Sequence, residues 1–141
     1  MKKVLTILLI LTAITCGLWM SQGWTTKRVD EKVGKFNSGC DNLIMGIQQY
    51  REFVGSYPMG NNSSIAKALL GQTDKKVLIL AIRRADLNDK GEILDPWGTP
   101  LQFYFSHNEV LIRSAGPNKV WEDSAIGSSD DLFRCAGKEK P

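Results

Sequence analysis

The residues best suited to chemistry lie near the C-terminal end of the chain. Asn118, Glu122, Asp123, Ser128, Ser129, Asp130 and Asp131 put amide, carboxylate and hydroxyl oxygens into one stretch, residues 118–131. Calcium is the ion such a stretch suits, since it takes about six to eight oxygens, backbone carbonyls included, and tolerates irregular geometry. The plainer reading is an acidic loop that water alone satisfies, the ordinary state of a charge run. Asp130 and Asp131 are adjacent and repel each other, while Val120, Trp121 and Ile126 offer the loop few apolar anchors. A divalent cation would neutralise that repulsion and satisfy turn carbonyls at the same time.

Other chemistries lack their parts. His107 is the only histidine and falls at the tip of an expected hairpin, a solvated turn position. No serine or cysteine has a base to activate it, and no glycine-rich loop could cradle phosphate. The three cysteines have neither CxxC spacing nor histidine companions, which argues against zinc. Glu122-Asp123 and Asp130-Asp131 share one loop, whereas a hydrolytic carboxylate pair works across a cleft. No catalytic residue is assigned, and the chain is not expected to be an enzyme. A net charge of +3, with basic and acidic residues interspersed, gives no footprint for nucleic acid.

The oxygen-rich stretch needs a scaffold, and residues 91–116 supply its centre. Asp95-Pro96-Trp97-Gly98 is turn chemistry, with proline presetting the second position and glycine completing the reversal. Leu101, Phe103 and Phe105 then alternate with Gln102, Tyr104 and Ser106, the period of a strand. A polar connection, residues 106–109, leads to a second strand over residues 110–113, ended by Ser114-Ala115-Gly116-Pro117. Trp97, between a turn proline and a turn glycine, is expected to fold onto the hairpin or onto the helix upstream.

That helix is marked by Val29, Val33, Phe36, Cys40, Leu43, Ile47, Tyr50, Val54 and Tyr57, spaced alternately four and three apart. The face is expected to pack on the protein's own sheet rather than in a coiled coil. Asn37-Ser38-Gly39 could interrupt it, with Ser38 capping a restart, and Gly55 and Pro58 end it. Residues 65–70 read as a short helix stopped by Gly71. Residues 77–82 read as strand or buried helix, with β-branched content leaning toward strand. Residues 83–90 read as a surface loop. After Gly116 no periodicity is visible, so a long loop is expected, tied down by Val120, Trp121, Ile126, Leu132 and Phe133.

Ahead of the helix, Lys2-Lys3 precedes an uncharged run, residues 4–20. Its 17 residues would span about 25 Å as a helix, at the short edge for a membrane. Residues 1–24 are therefore expected to be either an uncleaved signal anchor, with Trp19 and Trp24 at the outer interface, or a cleaved signal peptide. The first option predicts a single-pass inner-membrane protein with its C-terminal domain in the periplasm, and the second a periplasmic protein. Residues 25–141 would form the domain. In either case Cys40 and Cys135 would reach an oxidising compartment, and a Cys40–Cys135 disulfide is expected, two buried free thiols being the alternative.

The segment from Leu94 to Pro100, LDPWGTP, followed by two strands and then Ser114-Ala115-Gly116-Pro117-Asn118, resembles the globular domain of the major pseudopilin of type II secretion. Tyr57-Pro58 after a helix, and Ser129-Asp130-Asp131-Leu132, fall where that family has its Tyr-Pro and its Asp-Asp-Ile. The resemblance covers residues 41–133. It implies an α+β fold, with one long N-terminal helix packed on a small antiparallel sheet and an ordered C-terminal loop. It also implies a structural or assembly role without turnover, among other pseudopilin or secretion-machine subunits and copies of itself.

In the matching loop that family binds calcium. The first acidic ligand would fall on Asn118 and the last on Asp131, with Asp123, Ser129 and Asp130 as further candidates. Asn118 is neutral, and Ser129 stands where another carboxylate is common. Affinity is therefore expected in the weak extracellular range of about 10⁻⁴ to 10⁻³ M. The N-terminus departs from the family, with Lys3 where a prepilin has glycine and no acidic residue inside the apolar run. A periplasmic binding or interaction module that reuses the fold is therefore the alternative function.

Overall fold

Helix α1 (Lys2–Val54) leads the chain. The computed structural model describes residues 2–74, 76–107, 109–123 and 129–137, with side chains from residue 27 onward. Two compact units divide it, Met1–Gly34 and Lys35–Pro141, and all that follows concerns the second. There Phe36, Cys40, Leu43, Ile44, Ile47 and Tyr50 of α1 are buried, so the expected apolar face is the one that packs. The helix does not break at residues 37–39. Ser38 donates its hydroxyl to the carbonyl of Lys35 at 3.2 Å, turning back onto its own helix rather than capping a new one. The helix closes with the Gly55 N–H on the carbonyl of Arg51 (2.8 Å).

Helix α2 (Asn62–Leu69) begins at Asn61, whose side chain accepts from the N–H of Ser64 at 3.0 Å. Ile65, Ala66, Ala68 and Leu69 bury its inner face. Asn62 works in the other direction. Its Nδ2 donates to the carbonyls of Ile93 (2.9 Å) and Leu101 (2.8 Å), and its Oδ1 accepts from the Ile93 N–H (2.6 Å). One amide thus pins α2 to both sides of the turn at residues 95–99. Residues 77–82 form no strand of the sheet. They run past α2 with an isolated bridge, Leu70 to Leu78, and lie over Gly46 of α1. A Cβ at Gly46 would stand 3.4 Å from Leu80, so this glycine admits a close neighbour at a position that helix propensity alone would disfavour. A Cβ at Gly39 would meet nothing within 4 Å, and nothing in the structure explains that glycine.

Three antiparallel strands follow in the order β1 (Gln102–Ser106), β2 (Glu109–Ser114), β3 (Leu132–Gly137). The hairpin pairs Phe103 with Ile112 and Phe105 with Val110. Val110 and Ile112 are fully buried, and Phe105 stacks on Tyr57 with ring centroids 5.1 Å apart. His107 is exposed in the turn, as expected. The third strand corrects the expectation of an aperiodic loop through residue 133 and beyond. Its pattern is hidden because Arg134 points to the helix side, where it forms a two-pronged ion pair with Asp41 of α1 (2.8 and 3.1 Å), while Phe133 faces outward. A strand with its charge inward and its aromatic outward carries no period-2 apolar signal.

That register also places the cysteines. Cys135 pairs with Leu111, while Arg134 and Ala136 share the helix-facing side with Ile112 and Val110. Alternation puts Cys135 on the outer face, and Cys40 is buried on the helix against the inner one. Both thiols are free. The expected bridge is absent because a sheet lies between its partners. Burial, with Asp41 next to it, pushes the Cys40 thiol up to about 12, so it stays protonated and unreactive near neutrality.

The membrane expectation is corrected as well. Among the described residues no helix is long and apolar enough to cross a membrane, so the single-pass inner-membrane anchor is withdrawn. Residues 4–20, on which that expectation rested, have side chains outside the described residues.

Candidate metal centre

The acidic loop starts where β2 ends, and the turn at residues 95–98 holds that point. Asp95 is buried without a cation. Its Oδ1 accepts from the N–H groups of Trp97 (2.9 Å) and Thr99 (2.8 Å), the local pattern an aspartate before Pro-x-Gly favours. Its Oδ2 accepts from the hydroxyl of Ser114 at 2.6 Å, and the Ser114 oxygen accepts from the N–H of Gly116 at 3.1 Å. A buried carboxylate is tolerated here because each oxygen meets donors. Trp97 is 8% exposed. Gly116 carries the chain past Asp130 with φ at +64°, and a Cβ there would stand 2.2 Å from the Asp130 carbonyl oxygen. Only glycine fits such an approach. The two ends of the loop are thereby set side by side.

Asn118 closes the neck. Its N–H donates to Asp130 Oδ2 (3.0 Å), and its side-chain oxygen accepts from the Val120 N–H (2.7 Å). Below the loop lies Arg113 of β2. Its Nε donates to Asp131 Oδ2 at 2.7 Å, and its Nη2 makes a short bond to the same oxygen. Nη2 also donates to the Glu122 carbonyl (2.9 Å), and Nη1 to Asp123 Oδ1 (2.8 Å). The guanidinium lies against the rings of Trp121 and Phe133, with centroids at 5.2 and 5.5 Å. Asp123 first, then Asp131, hold Arg113 protonated well above its ordinary range. Asp131 has no exposed side-chain surface, while Asp123 is open to solvent.

Beyond Arg113 the loop gathers Glu122, Asp130 and Asp131, with one carboxylate oxygen of each within 4.8 Å of the others. Two of those groups carry buried oxygens with no partner, Asp130 Oδ1 and Asp131 Oδ1. An acid oxygen buried without a donor is costly, and a cation is one way to satisfy it. Oxygens bound to one calcium at about 2.3–2.6 Å lie within about 5 Å of each other, so the trio fits that ion. Carboxylates without nitrogen or sulfur donors suit a hard cation better than a transition metal.

Compared with family models, curated proteins and solved structures, the chain shows no match.

Of the five residues expected to hold metal, the structure brings Asp130 and Asp131 together and adds Glu122. Asn118 and Ser129 bond the loop's own backbone instead, Ser129 through its hydroxyl oxygen to the Asp131 N–H (3.2 Å). Asp123 is taken by Arg113. Residues 124–128, Ile126 and Ser128 among them, lie outside the described residues. Arg113 and Asp95 were missed by sequence reasoning. A run Asp-Pro-x-Gly signals the turn that Asp95 caps. Arg113 gives no comparable sign, since one arginine at a strand end is common.

Proposed function

We propose that the chain is a non-enzymatic structural subunit of pseudopilin type, which assembles with other subunits and is held in shape by a calcium-binding loop. The carrying observation is the pair of buried, unpartnered oxygens, Asp130 Oδ1 and Asp131 Oδ1, on two residues that lie with Glu122 in one carboxylate cluster. The α+β arrangement, with a long helix laid on a three-stranded antiparallel sheet, supports the same reading. Glu122, Asp130 and Asp131 would hold the ion through one oxygen each. The ion would supply charge neutralisation and fix the loop as part of an interaction surface.

Thermal melts with calcium and with chelator test the ion. Wild type is expected to melt higher in calcium. Asp130→Asn keeps an oxygen for the Asn118 N–H but removes the charge, and should lose most of that response. A wild-type melt indifferent to chelator would refute calcium binding. Assembly is tested by photo-crosslinking in cells at Met45 and Phe53, exposed apolar positions on α1. Site-dependent adducts with other subunits or with itself are expected. Monomer alone at both positions would exclude the structural role.

A second reading, a binding module on the same fold, is favoured by one feature. An open cavity of about 570 Å³ lies between α1 and residues 80–83 and 93–96, lined by Phe36, Leu43, Leu80, Ile82 and Leu101. Its size is that of a small-molecule site, and a ligand-induced rise in melting temperature in the chelated protein would support it.

A further inference from the structure

Arg113 occupies the position from which a cation would be expected to neutralise this loop. Arg113, whose side chain is 11% exposed, pairs with Asp123 and Asp131, and Asp131 in turn is gathered with Glu122 and Asp130. Asp131 is shared between two sides. Its Oδ2 is taken by Nε and Nη2 of Arg113, its Oδ1 is buried without a partner, and the residue is one of the trio with Glu122 and Asp130.

We propose that Arg113 is a resident cation that competes with the metal. It folds the loop when no ion is bound, and it holds the affinity of the site for divalent cations low. The inference rests on the calcium reading of the loop and adds its regulation. A metal on Asp131 Oδ1 and a guanidinium on Asp131 Oδ2 would put two positive charges across one carboxylate. Each weakens the hold of the other on it. Arg113 cannot readily swing aside, because Trp121, Phe133 and the Glu122 carbonyl fix it from other directions. It also keeps Asp123, the most solvent-exposed of the four acids, turned to itself. Calcium sites set their affinity largely by ligand charge and rigidity, and Arg113 cancels one unit of the first. A loop already closed by an arginine responds to the metal only weakly. The same loop without it depends on the metal to stay folded.

The experiment is calcium titration by calorimetry on the full chain, in wild type, Arg113→Gln and Arg113→Lys, with melts in calcium and in chelator. Arg113→Gln is expected to bind calcium about tenfold or more tightly than wild type. Its melting temperature should rise with calcium by more than that of wild type. Arg113→Lys, which keeps the charge, should stay close to wild type in affinity, a result that a purely structural arginine would not give. Binding seen in Arg113→Gln alone overturns the calcium reading of the wild-type loop, and the inference with it. Equal affinity in wild type and Arg113→Gln overturns the inference and leaves the calcium reading standing. Binding in none of the three overturns both. If Arg113→Gln does not fold in chelator, millimolar calcium must restore its circular dichroism, and failure to do so overturns the inference.

Discussion

Replacing Asp95 with alanine tests whether the turn, rather than the apolar core alone, holds the loop in place. The residue is 6% exposed, and its side chain accepts three hydrogen bonds, from the N–H groups of Trp97 and Thr99 and from the hydroxyl of Ser114. Truncation leaves three donors without partners in a region water enters poorly. At about 1–1.5 kcal/mol for each, the expected loss is about 3–4 kcal/mol. For a domain of this size that lowers the melting midpoint by roughly 10–20 °C. Asp95→Asn separates hydrogen bonding from charge. Its oxygen can keep the two backbone donors, and the Ser114 hydroxyl can turn to accept from the new amide, so the loss should be only about 1 kcal/mol. Urea unfolding with unchanged slope measures both. If Asp95→Ala unfolds within about 1 kcal/mol of wild type, the bonds through Asp95 do not hold the turn, and the link from turn to loop fails with them.

Trp97→Ala should lose about 3 kcal/mol in the same urea assay, the usual result of truncating a buried aromatic, and an unchanged midpoint would mean the indole is not part of the core. Gly116→Ala should destabilise by about 2 kcal/mol or more, since the residue has φ at +64° and its Cβ would overlap the Asp130 carbonyl; a neutral result would mean that the loop ends are not in contact. The Arg134 bond holds the Asp41 carboxyl below its usual range. A depressed carboxyl contributes stability above its unfolded pKa of about 4 and loses it as pH falls. The stability gap between wild type and Arg134→Leu should therefore narrow from pH 6 to pH 3, and a gap that widens would contradict the pairing. Alkylation of the native protein should modify Cys135 quickly and Cys40 only after denaturation, while a disulfide-linked mass in non-reducing spectra would contradict the opposed faces.

The fold was legible where periodicity and turn chemistry agreed. The face from Phe36 to Tyr50, the alternation of the hairpin, the short helix ended by Gly71 and the burial of Trp97 all follow from local pattern, because each obeys the rule that apolar positions face the core. Legibility failed where a polar residue faces inward with a distant partner. Arg134 looks like loop composition until Asp41, 93 positions earlier, is opposite it. The same mechanism misled the cysteine pairing. An expected export and apolar placement favoured a bridge, but which face of β3 Cys135 occupies depends on a register that only β2 specifies.

At the candidate metal centre the split is sharper still. Sequence shows where negative charge accumulates, since acids are read one by one. It does not show where that charge is already balanced, because the balancing group belongs to another element. Arg113 lies on β2, ahead of the loop, and reaches Asp131, 18 positions later, only once Gly116 and the Asp95–Ser114 bond have turned the chain back. The set of candidate ligands shifts for the same reason. Asp123 is drawn to the arginine, and Glu122, one residue earlier, falls among the remaining acids with Asp130 and Asp131. Counting acids along the chain overstates the charge a metal would meet by the one that Arg113 neutralises. The residual charge, and the two oxygens left without donors, are what an added cation would have to satisfy.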